Sequence, residues 1–95
     1  MTLEEILQDI HGLDERLHEL EQKYGLLSDD LYALYRLGEV EQSQDLVRWI
    51  GYYEFRQERQ REYAAALHER LLAWRKSGRG STISLRPGSA IRTEA

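Results

Sequence analysis

His11, Glu15 and His18 recur at i, i+4 and i+7. On a helix that spacing places two imidazoles and a carboxylate on one face, a donor set suited to a borderline divalent cation. They fall on the side away from the chain's main apolar stripe, so solvation is the stronger reading and no metal site is assigned. His18-Glu19 lacks the second histidine of the zinc-protease helix, with Gln22 in its place. Asp29 and Asp30 are a carboxylate pair of the kind used in acid–base work, but adjacent helical residues diverge by about 100°. Helix capping accounts for them better. The sequence names no acid–base partner for His68, and it contains no cysteine and no glycine-rich phosphate loop. Catalytic, cofactor-binding and metal-ligating residues are therefore all read as none, and the chain is not expected to be an enzyme.

The elements that would carry these residues are helices. Leu3, Ile6, Ile10, Leu13, Leu17, Leu20 and Tyr24 alternate spacings of three and four, the seam of a coiled coil. Thr2 with Glu5 three residues on forms a capping box at the start, and Gly25 supplies a left-handed stop after which Leu26 can fold back on Leu20. Buried in full, seven seam residues are worth roughly 10 to 20 kcal/mol, whereas an isolated helix of this length is marginal in water. The seam is therefore expected to lie against another helix, either the third of the same chain or a symmetry mate.

Ser28 reads as the N-cap of a short second helix with Asp29 and Asp30 in its first turn, ending near Gly38. A third and longest helix starts at Ser43 and runs to about Lys76 through Leu46, Trp49, Ile50, Tyr53, Tyr63, Leu67, Leu71 and Trp74. Gln57 and Gln60 interrupt its stripe within an almost wholly polar stretch, residues 56–62. Trp49 is expected to pack inward against Leu31 and Tyr35, with Trp74 more exposed. Gly12, Gly25, Gly38 and Gly51 recur every 13 residues, but their successors Leu13, Leu26, Glu39 and Tyr52 share no pattern, so no internal repeat is assigned.

Composition agrees. Ala, Glu, Lys, Leu and Arg make up 47 of the 95 residues, the share typical of long helices and coiled coils. The fold class is all-α: a helical hairpin or small bundle with a long N-terminal amphipathic helix, a short middle helix, a long third helix and an extended C-terminal tail. The length allows one core and one helical domain, residues 1–76, followed by a flexible basic tail, residues 77–95. No apolar run approaches the roughly 20 residues of a membrane span, and the first ten residues carry Glu4, Glu5 and Asp9 where a signal peptide would be basic. Together with the lack of cysteine, this points to a cytoplasmic protein with no membrane partner.

The formal charge of −4 conceals a split. Up to Trp74 there are 8 Lys+Arg against 16 Asp+Glu, whereas the last 21 residues carry Arg75, Lys76, Arg79, Arg86 and Arg92 against Glu94 alone. The basic tail can track phosphates but holds no aromatic residue to stack on bases, so nucleic acid is not the favoured partner. Within it, residues 82–86 alternate polar and apolar with Ile83 and Leu85 on one face, a strand that lacks a sheet of its own. Tail ordering is expected only on a partner, with this strand added to the partner's sheet. Seven aromatic residues between Tyr24 and Phe55 exceed what so small a core readily hides, and divide between internal core and a partner-facing patch. The partner-binding residues proposed on these grounds are Tyr52, Phe55, Arg79, Ile83, Leu85 and Arg86.

The stretch from Lys23 through Tyr24-Gly25 and Ser28-Asp29-Asp30 to Tyr32, then Gly38-Glu39-Val40, Asp45 to Trp49 and Tyr53-Glu54, resembles a group of small helical antitoxin-like bacterial proteins. The similarity covers about residues 20–55. It implies the antitoxin half of a toxin–antitoxin module, whose partner is a cognate toxin protein, a ribonuclease being one such class, neutralised by masking of its active surface. The alternatives are a homo-oligomeric coiled-coil adaptor, dimerising through the N-terminal helix, and a DNA-binding accessory protein.

Overall fold

The computed structural model describes residues 1–78, together with Leu85 and Pro87. It contains three helices: α1 (Leu3–Tyr24), α2 (Ser28–Arg36) and α3 (Gln44–Lys76). No strand occurs among the described residues. The expected strand at residues 82–86, and with it Arg79, Ile83 and Arg86, lies outside them.

The start of α1 follows from its first residues. Thr2 Oγ1 accepts from the Glu5 amide at 3.1 Å while the Thr2 amide donates to Glu5 Oε1 at 2.9 Å, which satisfies two amides that have no intrahelical partner. At the other end Gly25 sits at φ 64°, ψ 37°, where a Cβ would be strained. Its amide donates to the Glu21 carbonyl at 2.8 Å and the Leu26 amide to the same carbonyl at 3.3 Å, so the chain reverses within two residues. Gly38, at φ 72°, repeats the device after α2: the Glu39 amide reaches back to the Leu34 carbonyl at 3.1 Å. Ser43 caps α3 by accepting from the Leu46 amide at 3.0 Å.

Ser28 does something other than the expected capping. The helix begins one residue earlier, with Leu27 at the cap position, so Ser28 is already helical and its hydroxyl is free for another partner. Its amide is satisfied instead by Glu21 Oε2 at 2.8 Å, a cap donated by the preceding helix.

α1 and α3 run antiparallel. The order of their ion pairs shows it: Lys23 with Asp45, Asp14 with Arg56, Asp9 with Arg59 and Glu4 with Arg70 descend one helix as they ascend the other. The seam of α1 thus meets α3 of its own chain, with Ile6, Ile10 and Leu17 buried and Leu3, Leu13 and Leu20 half-buried. α2 covers only the closed end of this hairpin. There Leu17, Leu31, Leu46, Trp49 and Ile50 form the core, bordered by Leu20, Leu26, Tyr32, Val40, Tyr52 and Tyr53. After Ile50 no described residue is buried, although α3 continues to Lys76. The rod measures 55 × 24 × 22 Å, and its radius of gyration of 17.6 Å exceeds the about 12 Å of a compact chain this long.

The polar stretch of α3 has a structural use that spacing did not suggest. α3 turns Arg56 and Arg59 toward α1 and leaves Gln57 and Gln60 exposed, so what read as a break in an apolar stripe is a short run of arginine contacts. The Arg59 guanidinium lies 4.7 Å from the Phe55 ring centroid and its Nε 3.2 Å from Asp9 Oδ2. That Nε makes no well-aligned hydrogen bond, so the contact with Asp9 is chiefly charge attraction.

Candidate functional site

The closed end gathers the side chains with most to offer a partner. Trp49, 3 % exposed, is its centre: the indole N–H donates to Ser28 Oγ at 2.8 Å, and Tyr24 stacks on the ring at a centroid distance of 5.6 Å. Leu31 shares the core with Trp49 as expected. The ring laid on the indole, however, is Tyr24, while Tyr35 points outward and pairs with Tyr32 at 5.9 Å. The reason is the antiparallel pairing of α1 with α3, which sets Tyr24, the last residue of α1, beside Asp45 and Trp49 near the start of α3. Trp74 is half-buried and thus more exposed than Trp49.

Polar groups fix the aromatic residues. Asp45 Oδ2 accepts from Lys23 Nζ at 2.8 Å and from the Tyr24 hydroxyl. These bonds, Lys23 first and Tyr24 second, hold the Asp45 carboxyl below its usual range. The same contacts push Tyr24 and Lys23 above theirs. The Tyr53 hydroxyl donates to Asp29 Oδ1 and is likewise raised, first by that bond and second by burial. The Tyr32 hydroxyl donates to Glu54 Oε2 at 2.9 Å, and its ring stacks on Tyr53 at 4.6 Å. The cluster is therefore neither all core nor all surface: Tyr24, Tyr32 and Tyr53 each pack a ring against another aromatic ring and give a hydroxyl to a carboxylate at the rim, whereas Tyr35 is exposed.

Around these rings apolar surface stays uncovered. Tyr24 is 51 % exposed, Leu27 63 %, Leu37 70 % and Val47 64 %. The same end is acidic, residues 19–48 holding seven Asp+Glu against three Lys+Arg. Hollows open here as well. A groove of about 760 Å³ lies between α1, the start of α2 and α3, with Glu15, His18, Glu21 and Asp29 on its rim. A smaller hollow of about 330 Å³ sits beneath Tyr24, with Leu31, Leu46 and Trp49 as its floor, Val40 and Leu34 as walls and Asp45 at its edge.

The residues proposed from sequence fare differently. Phe55 is exposed, with Arg59 over its ring; Tyr52 is half-buried against the core, and Leu85 is exposed. Residues that spacing did not single out, Leu27, Leu37 and Val47, prove the most exposed apolar groups of the closed end. Their signal was present as apolar residues in turns or off the helical stripe. His11 and His18 are exposed, and among the described residues no three His, Cys, Asp or Glu side chains gather as a metal-binding group. Among the described residues no helix is long and apolar enough to cross a membrane. No protein-family model, curated protein or solved structure matches the chain.

Proposed function

We propose that this chain is a protein-binding module of the antitoxin type, which binds a cognate toxin protein and neutralises it by covering its active surface. The observation that carries the reading is the closed end, where exposed apolar side chains stand within an acidic surface over a core centred on Trp49. Such a surface complements a basic protein; charge speeds the encounter, and desolvated aromatic and aliphatic anchors supply affinity. A toxin that binds RNA, a ribonuclease for example, exposes the required basic surface. The basic tail would add a second contact, and its removal should weaken neutralisation at least tenfold. Affinity purification of the tagged chain from its host should retain one small basic protein in stoichiometric amount, whose expression alone arrests growth and whose co-expression with this chain does not. A chain that purifies alone and relieves no arrest overturns the reading.

A homo-oligomeric adaptor is the second reading, favoured by one observation. Toward the open end of the hairpin Leu7 and Leu72 are exposed, and Leu67, Leu71 and Trp74 are only half-buried. A solution mass at twice 11.2 kDa that falls to the monomer value in Leu71→Lys would support it.

A further inference from the structure

We propose that the hollow beneath Tyr24 is an anchor pocket for one apolar side chain of the partner protein, borne next to a lysine or arginine that takes the Asp45 carboxylate. The identity of the partner rests on the antitoxin reading; the chemistry of the pocket does not.

Size and lining come first. The hollow holds about 330 Å³, and a dry cavity of about 150 Å³ already accepts benzene. A leucine or phenylalanine side chain therefore fits, against a floor of Leu31, Leu46 and Trp49 that belongs to the core and so costs little to preorganise. Core-backed concavities of this kind receive the central anchors of protein interfaces.

Charge selects the neighbour of that anchor. Asp45 is the one acidic group on the lining, and its carboxylate already receives a cation, the Lys23 ammonium, at 2.8 Å. Lys23 therefore stands where an incoming lysine or arginine would. Its side chain is 61 % exposed, so the exchange of one solvated cation for another is easy, and an arginine gains the planar fork that lysine lacks. The surplus of acidic groups over residues 19–48 favours the same sign of partner. Tyr24, linked to the same carboxylate and stacked on Trp49, forms the wall of the pocket that moves when the cation is exchanged.

The binding arm of the test needs no toxin. Full-length chain carrying Trp74→Phe leaves Trp49 as the sole indole reporter, and three probes of one shape are titrated against it: phenethylguanidinium, neutral phenethyl alcohol and anionic hydrocinnamate. Expected are changes in Trp49 emission and amide shifts centred on Tyr24, Leu34, Val40 and Trp49 by about 10 mM probe. The cation should bind about threefold tighter than the alcohol, as befits an exposed ion pair, and the anion weakest. Asp45→Asn should abolish the preference for the cation while keeping the alcohol's affinity. Val40→Trp, which fills the hollow, should abolish all three, a loss followed by amide shifts because this variant adds a second indole. Equal affinity for the three probes, shifts elsewhere, or none overturns the proposal; Asp45→Asn settles the charge question should Val40→Trp lose helicity. Probe binding by a chain that neutralises no toxin upholds the pocket and overturns the antitoxin reading. Undiminished neutralisation by a folded Val40→Trp does the reverse.

Discussion

Ser28 and Trp49 make the one hydrogen bond between buried side chains among the described residues, and its loss has a calculable effect. Ser28→Ala leaves the indole N–H buried without a partner, which costs about 1 to 3 kcal/mol. Once Trp49→Phe has removed the donor, the same serine change should cost less, so urea denaturation of the two single variants and the double variant should give a non-additive cycle; strict additivity would show that the bond contributes nothing. Acid and base test the neighbouring groups. Asp45, Glu4 and Glu5 titrate below their usual range in the folded chain, so the unfolded chain binds more protons and their contribution is lost as pH falls through those lowered values. Lys23, Tyr24 and Tyr53 are raised, so theirs is lost as pH rises through the raised values. The urea midpoint should therefore stay level between about pH 5 and 9 and fall on both sides. The Ser28 bond was not legible in the sequence. A cap is inferred from its nearest neighbours, whereas Trp49 lies 21 residues on.

Helices were far more legible than their pairing. Thr2 with Glu5, Gly25 and Ser43 fix boundaries through chemistry that acts over four residues, and each does so here. The interrupted stripe of α3 does not by itself fix which face turns to α1, and across the polar stretch charges on α1 meet it: Asp14 pairs with Arg56 and Asp9 with Arg59. Exposed ion pairs contribute little, so the methylene stems of the arginines carry most of the packing. Arg59→Met should accordingly shift the urea midpoint by no more than about 1 kcal/mol equivalent, whereas Leu17→Ala, at the buried junction of α1 with the core, should cost about 2 to 5. Replacing both Leu13 and Leu17 by Asp should unfold the chain; unchanged helicity would reject the burial of the seam. Gly25→Ala meets no neighbouring atom, so its cost is the left-handed backbone alone, about 1 to 2 kcal/mol.

An all-α hairpin could be read from composition and periodicity, but the off-centre core could not, because it depends on which half of α3 the nine residues of α2 cover. The surface proposed for docking follows from that placement: Leu27, Leu37 and Val47 stand exposed around the end of the hairpin that holds the core of Trp49 and its neighbours.

The same asymmetry gives the hairpin a direction in time. Lys23 meets Asp45 across a loop of only 22 residues, whereas Glu4 meets Arg70 across 66. Closure therefore costs least near the core and more toward the free ends. The molecule should form and come apart like a zipper with its slider parked at Trp49. Amide hydrogen exchange should be slowest around Leu17, Leu31 and Trp49 and quicken steadily along both long helices toward Leu3 and Trp74. A flat profile would mean that the rod opens all at once. A graded one means that its acidic, aromatic end is still shut when the other has already frayed.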